Sequence, residues 1–316
     1  MMTTVLADAL VPIFAGILLG YCAGLWRKMD NQNVQTLITF VMSFAVPAAL
    51  FLAIADTPRE VLHKEAASAT VLTLVYVVLY VVGYLWSRSA EGLSRSESSV
   101  VALTVSFPNV AAVGLPLFAS VFGSKSTVTV AVSLAIGSIT VSPITLAILE
   151  ANRQEGGGGS ALAHIARSFV HSFKRPIVWA PLLGLAFSLA GWSLPSFAAR
   201  SLDVMGTAAG GSALVLTGLV VSAQKFEVAW GTLIAVILKN VLQPALALGI
   251  AMLLHLPLEQ MRYVVLISAM PCGFFGAVFG KVFGANPRLA SSGLIASHVV
   301  SVGTLAAWIV IVQHLK

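Results

Sequence analysis

Ten long apolar stretches separated by short polar connections dominate the chain. Each is long enough for an α-helix to cross the hydrocarbon core of a bilayer. The pattern therefore predicts an all-α integral membrane protein with about ten transmembrane helices. The first stretch is expected to remain as a helix, because no basic segment precedes it and no small-residue cleavage site follows it. The stretches cover residues 4–26, 33–55, 67–87, 99–122, 126–149, 176–192, 202–223, 228–254, 262–284 and 289–313.

The composition agrees with a membrane protein, since 58% of the 316 residues are hydrophobic and 9% are charged. Charged surface is too scarce for a soluble globule of this size. The net charge of +6 resides in short connections and forms no basic stripe, so a nucleic-acid partner is not expected. The connections on one side of the predicted bilayer carry more Lys and Arg than those on the other, which predicts that both termini lie outside.

The two halves of the chain resemble each other in sequence. Pro12-Ile13 recurs as Pro176-Ile177, an offset of 164, and Pro108 in the fourth stretch matches Pro271 in the ninth, an offset of 163. Matches at nearly the same offset and in chain order indicate a duplication. Five spans per half make the repeat inverted, an architecture found in many secondary transporters. We therefore predict a first repeat over 1–150, a cytoplasmic linker over 151–175 and a second repeat over 176–316.

The linker begins with a glycine run and continues with apolar and basic residues at helical spacing. This pattern predicts a short amphipathic segment on the cytoplasmic interface, with an unstructured tether as the alternative.

Prolines near the middle of the fourth and ninth spans predict that both helices are broken. Pro108 and Pro271 each remove a backbone donor and clash with the preceding turn. Broken helices at matched positions of an inverted repeat indicate a binding site near the middle of the membrane, where half-helix N-termini favour an anion. The alternative is a pair of tolerated proline kinks.

Polar residues in two other spans are candidates for the same site. Lys239 and Gln243 lie in the eighth span, and a buried ammonium requires a partner. A substrate carboxylate would serve, as would a structural ion pair with Asp203 or Asp8, or snorkelling. His298 in the tenth span could carry a proton or donate to an anion, although a packed, hydrogen-bonded histidine is the alternative.

Other classes of function are less well supported. No paired histidines beside a glutamate and no paired aspartates at membrane depth are present, so neither an enzyme, a metal site nor a cofactor is expected. An anion channel remains the alternative to a carrier, because the same broken helices could line a pore. Glycines repeat every fourth residue at 16, 20 and 24, which predicts close helix packing or dimerisation.

Several segments together resemble the auxin efflux carrier family, particularly its short bacterial members described as malonate or related organic-acid permeases. These segments are spread over essentially the whole chain. They are Asn31-Gln32-Asn33, the run from Phe44 to Phe51, Pro108-Asn109 with Gly114-Leu115-Pro116, the run from Lys174 to Trp179, and Gly273-Phe274-Phe275-Gly276.

The resemblance implies a scaffold bundle, a transport bundle that crosses at the two prolines, a homodimer and a plasma (inner) membrane location. Asn109 matches the anion-binding asparagine after the first proline. The asparagine after the second proline of plant auxin carriers is replaced here by Cys272, which favours a small mono- or dicarboxylate such as malonate, held by backbone amides, over an auxin-like aromatic one. The full set of expected substrate-binding residues is Ser106, Pro108, Asn109, Lys239, Gln243, Pro271, Cys272, Gly273 and His298.

Overall fold

The computed structural model describes residues 2–123, 126–153, 174–285 and 287–315. Regular structure within these ranges is helical, apart from one isolated bridge, so the predicted all-α class is confirmed. The predicted amphipathic segment of the linker falls on residues 154–173, outside the described ranges. The thirteen helices found in the described ranges are α1 (Met2–Leu25), α2 (Gln35–Ala55), α3 (Arg59–Ser89), α4 (Arg95–Ser106), α5 (Val110–Phe122), α6 (Thr127–Ile139), α7 (Val141–Arg153), α8 (Pro176–Ala190), α9 (Ser196–Ser222), α10 (Trp230–Leu253), α11 (Leu258–Ala269), α12 (Phe275–Phe283) and α13 (Arg288–His314).

Seven stretches of helix in the described residues are long and apolar enough to cross a membrane. They coincide with seven of the ten predicted spans and make the chain a multi-pass membrane protein. The fourth and ninth predicted spans are each divided into two shorter helices, and the sixth is the 15-residue α8. The count of ten spans therefore stays a prediction. The seven stretches are Ala7–Leu25, Gln35–Ala55, Glu65–Ser89, Thr127–Asn152, Ser196–Ser222, Trp230–Leu253 and Arg288–His314.

Three helices contain a π-helical turn close to a proline. The turns are Val41–Ala45, Val110–Gly114 and Leu238–Leu242, and they end two residues before Pro47, Pro116 and Pro244, respectively. A proline leaves the carbonyl four residues earlier without its helical donor, and a wider turn makes room for the ring. In α10 that carbonyl belongs to Asn240, and the indole nitrogen of Trp308 donates to it over 3.0 Å.

The helices form two compact units, each drawn from both halves of the chain. Unit 1 comprises the described residues of 1–69, 110–135 and 174–223, and unit 2 comprises those of 70–109, 136–173 and 224–316. In unit 1, α1 packs along α9, and α8 packs on α2. In unit 2, α4 packs against α7 and α12, while α13 packs against α4, α10 and α11.

Glycines allow the backbones of α1 and α9 in unit 1 to touch. A Cβ atom added at Gly20 would overlap the carbonyl oxygen of Val215, and one added at Gly218 would overlap the carbonyl of Ile17 and lie 2.6 Å from the amide nitrogen of Tyr21. Small residues permit this approach in membrane helices. The glycine pattern at 16, 20 and 24 therefore serves helix packing within unit 1.

We expect Gly218→Leu to destabilise the protein, because the added side chain would force α1 and α9 apart. Overpacking of this kind costs about 1–3 kcal/mol, and a thermal unfolding curve of the purified protein in detergent measures it. Gly211→Ala in the same helix is the matched control, since a Cβ there has no neighbour within 4 Å. Equal melting temperatures for the two variants would contradict the packing described.

Candidate functional site

Both predicted proline breaks are present in unit 2. Helix α4 ends at Ser106, and α11 ends at Ala269. The residue before each proline is extended, with φ −98° and ψ 109° at Phe107 and φ −61° and ψ 153° at Met270. A proline ring disfavours the helical conformation in the residue that precedes it, so each helix stops there. Both breaks leave backbone groups that have no helical partner.

The two broken segments satisfy these groups by pairing with each other. The amide of Asn109 donates to the carbonyl of Pro271 over 2.9 Å, and the amide of Gly273 donates to the carbonyl of Phe107 over 2.8 Å. Together they form an antiparallel bridge centred on Pro108 and Cys272, which we call the proline bridge. Backbone groups inside a membrane require such partners.

Glycine is needed where the two segments approach. A Cβ atom at Gly273 would lie 2.5 Å from the carbonyl oxygen of Phe107, too close for any other residue without a backbone shift. In the first turn of α12, a Cβ at Gly276 would collide with the hydroxyl of Thr104 in α4. The two glycines therefore allow α12 to begin directly against α4.

Lys239 and Gln243 connect the ends of the two broken helices. The ammonium of Lys239 donates to the side-chain oxygen of Gln243 and, over 3.0 Å, to the carbonyl of Ser268 near the end of α11. The amide nitrogen of Gln243 donates over 2.7 Å to the carbonyl of Ser106, the last residue of α4. A cation is favourable near a helix C-terminus, where carbonyls lack helical donors. Both partners of Lys239 are uncharged oxygen acceptors.

Asn109 and His298 form a second polar contact at the proline bridge. The side-chain nitrogen of Asn109 lies 3.2 Å from Nε2 of His298, and Nδ1 of His298 lies 2.8 Å from the carbonyl of Leu294. Both side chains are buried, with 2% and 5% of their surface exposed, respectively.

A third set of hydrogen bonds fixes the segment after Pro271. The amide of Cys272 donates over 3.0 Å to the hydroxyl of Ser297, which donates over 2.7 Å to the side-chain oxygen of Asn240. The Asn240 amide nitrogen donates to the hydroxyl of Thr304 over 3.1 Å. The amides of Cys272 and Gly273, expected to hold an anion, thus both have protein partners in this conformation.

Two serine hydroxyls at the ends of the broken helices have no such partner. The Oγ atoms of Ser106 and Ser268 are buried and have no hydrogen-bond partner among the described residues. Their carbonyls are the groups bound by Gln243 and Lys239, respectively. Each of these buried hydroxyls is able to donate to an anionic group.

All nine residues expected from the sequence lie in unit 2, and each of them belongs to or contacts the proline bridge or an end of a broken helix. The carbonyl of Ser106 accepts a hydrogen bond from the side-chain nitrogen of Gln243, and the side-chain oxygen of Gln243 accepts one from Lys239. Sequence reasoning missed Ser268, Asn240 and Ser297. Asn240 and Ser297 adjoin the recognised candidates Lys239 and His298, so a search for polar neighbours within the spans would have found them.

We expect Lys239 and Gln243 to stabilise unit 2 jointly rather than independently. Removing either leaves buried carbonyls unsatisfied, which costs about 1–3 kcal/mol, so Lys239→Met and Gln243→Leu should each lower the melting temperature in detergent. Because the two side chains bind each other, the double variant should lose less than the sum of the single losses.

Lys225→Met, which removes an exposed ammonium, is the control for loss of charge and should leave the melting temperature unchanged. Strictly additive losses in the double-mutant cycle would show that Lys239 and Gln243 act independently.

Comparison with known proteins supports a membrane transport role. A family model described as "Membrane transport protein" matches residues 5–309. The chain is 27% identical over 312 residues to "Uncharacterized transporter YfdV" of Escherichia coli strain K12, with 98% of both chains covered. It is 22% identical to "Auxin efflux carrier component 8" of Arabidopsis thaliana, with 95% of both covered, and 23% identical to "Putative malonate transporter" of Rhizobium meliloti, with 96% of this chain and 94% of the other covered. The match along nearly the whole length shows that the chain belongs to this family of membrane transport proteins, the family of the auxin efflux carriers.

Proposed function

We propose that the protein is a secondary carrier for small organic anions, and that the anion binds at the proline bridge. The observation that supports this most strongly is the set of buried donors gathered there: the Asn109 side chain and the hydroxyls of Ser106 and Ser268, with the ammonium of Lys239 nearby. Buried polar groups at membrane depth are costly unless they serve a substrate or a structural partner.

The burial of this site supports a carrier over an anion channel. Asn109 is 2% exposed and Cys272 is fully buried, so an anion reaches the proline bridge only after the surrounding helices rearrange. A carrier that works by alternating access passes through such closed states, whereas a conducting channel requires a continuous pore.

The proposed architecture behind alternating access is ten spans arranged as two inverted repeats of five. The seven long stretches of helix, the 15-residue α8 and the two broken helices together account for ten crossings. The repeats are 1–150 and 176–316, joined by a cytoplasmic linker, with both termini outside. We further propose a plasma (inner) membrane location and a homodimer, on the resemblance to auxin efflux carriers.

The proposed substrates are mono- or dicarboxylates such as malonate. The name of the Rhizobium meliloti relative supports this class. Cys272, in place of an amide side chain after the second proline, offers fewer donors for a large aromatic carboxylate such as an auxin, which is the competing substrate class. Because Lys239 is already bound to Gln243 and Ser268, its positive charge would attract the anion through space, without a direct hydrogen bond to it.

Counterflow of labelled malonate in proteoliposomes tests the proposal. We expect saturable exchange by the wild-type protein, competed by lactate or malate more strongly than by indole acetate. Asn109→Ala should reduce the exchange by about tenfold or more, as expected for loss of a charged hydrogen bond.

Asn152→Ala removes an exposed amide from α7 and serves as the control for protein quality, so it should exchange like the wild type. Flux that fails to saturate, together with an electrical conductance, would indicate a channel instead. Preferred competition by indole acetate would move the substrate class to aromatic carboxylates.

A further inference from the structure

The hydrogen bonds around His298 identify where the proton on its ring lies. The carbonyl of Leu294, 2.8 Å from Nδ1, can only accept, so Nδ1 carries the hydrogen. The side-chain nitrogen of Asn109, 3.2 Å from Nε2, can only donate, so Nε2 offers its lone pair. The ring described by this geometry is the neutral Nδ1–H tautomer.

The amide of Asn109 has two orientations that fill the same space but differ in polarity. Its oxygen and nitrogen lie on opposite sides of Cγ, so the group facing His298 determines which group faces away from it. A neutral His298 accepts at Nε2 and holds the nitrogen. A protonated His298 donates at Nε2, so the amide must turn by half a rotation to present its oxygen to the ring.

We propose that His298 and Asn109 form a proton-operated switch that couples anion binding at the proline bridge to the uptake of one proton. This inference rests on the proposed carrier function. With His298 neutral, Asn109 turns its oxygen away from the ring and repels a carboxylate. With Nε2 protonated, Asn109 turns its nitrogen away from the ring and donates to the carboxylate.

The charged neighbours of His298 make this coupling reciprocal. Lys239, on the π-turn of α10, interacts electrostatically with the ring. A proton on Nε2 places a second cation near Lys239 in a buried site, and a bound anion offsets their repulsion, so each ligand favours the other. The other titratable residues of the helices packed on α13 are Arg95 and Glu97 at the start of α4, Glu259, Arg262 and Tyr263 in the first half of α11, and Lys281 in the last turn of α12. Cys272 of the proline bridge is a further titratable group, and its backbone amide binds Ser297 next to His298.

The proton and the anion then move together. The proton passes from water on the side where the anion enters to Nε2, and returns to water on the opposite side when the anion leaves. No bond in the substrate forms or breaks. One proton balances the charge of a monocarboxylate, so lactate transport is electroneutral, whereas malonate with one proton carries one net negative charge across the membrane per transport cycle.

Proteoliposomes that contain a pH-sensitive dye provide the test. An inward gradient of lactate should acidify the lumen of vesicles with wild-type protein, and the dissociation constant for lactate should fall by up to about tenfold per unit decrease in pH. His298→Gln can still donate to Asn109 but cannot take up a proton. It should exchange lactate several-fold more slowly, without luminal acidification and with a dissociation constant that is nearly independent of pH.

His314→Gln is the matched control. His314 lies in the same helix, and its Nδ1 faces the carbonyl of Val310, four residues earlier, over the same 2.8 Å, but the side chain is exposed. This variant should acidify the lumen as the wild type does. A second measurement uses the wild-type protein alone. Calorimetry in two buffers of different ionisation enthalpy should show close to one proton taken up per lactate bound.

The outcomes separate the switch from the carrier function. Counterflow needs no net proton movement, so wild-type exchange with no proton uptake would overturn the switch and leave the carrier intact. Acidification by His298→Gln equal to that of the wild type would also overturn it, because the proton would then bind elsewhere. Absence of counterflow for every carboxylate would overturn the carrier function and the switch with it.

Discussion

The pairing of backbone groups at two proline breaks is the constraint on which unit 2 depends. Pro108 and Pro271 interrupt two helices in a protein whose surroundings offer little water, and each interruption exposes amides and carbonyls. The proline bridge joins Asn109 to Pro271 and Gly273 to Phe107, so each break provides hydrogen-bond partners for backbone groups of the other. The bridge thereby positions three of the candidate binding residues, Asn109, Cys272 and Gly273.

The helices around the proline bridge supply what it leaves unsatisfied. From α10, Lys239 and Gln243 reach the carbonyls at the ends of both broken helices. From α13, His298 and Ser297 hold Asn109 and the amide of Cys272, respectively. A rearrangement of α10 or α13 would therefore alter hydrogen bonds at the bridge, which gives a carrier a direct link between helix movement and anion binding.

The sequence predicted the elements of the site better than their connections. Hydropathy indicated the membrane class, and the two prolines indicated breaks that the structure contains. The pairing of Asn109 with Pro271 joins residues 162 positions apart, and local sequence carries no signal for that register. The sequence also suggested a charged partner for Lys239, whereas helix ends created by the breaks provide carbonyl acceptors. That partner exists only once the fold has formed.

A structure determined with malonate bound would show whether the anion lies at the proline bridge. We expect one carboxylate to lie within about 3 Å of the side-chain nitrogen of Asn109, a hydrogen-bond distance. We also expect this nitrogen to be turned away from His298, with Phe107 and Gly273 still paired. Malonate bound elsewhere, with Asn109 still donating to His298, would contradict an anion site at the proline bridge.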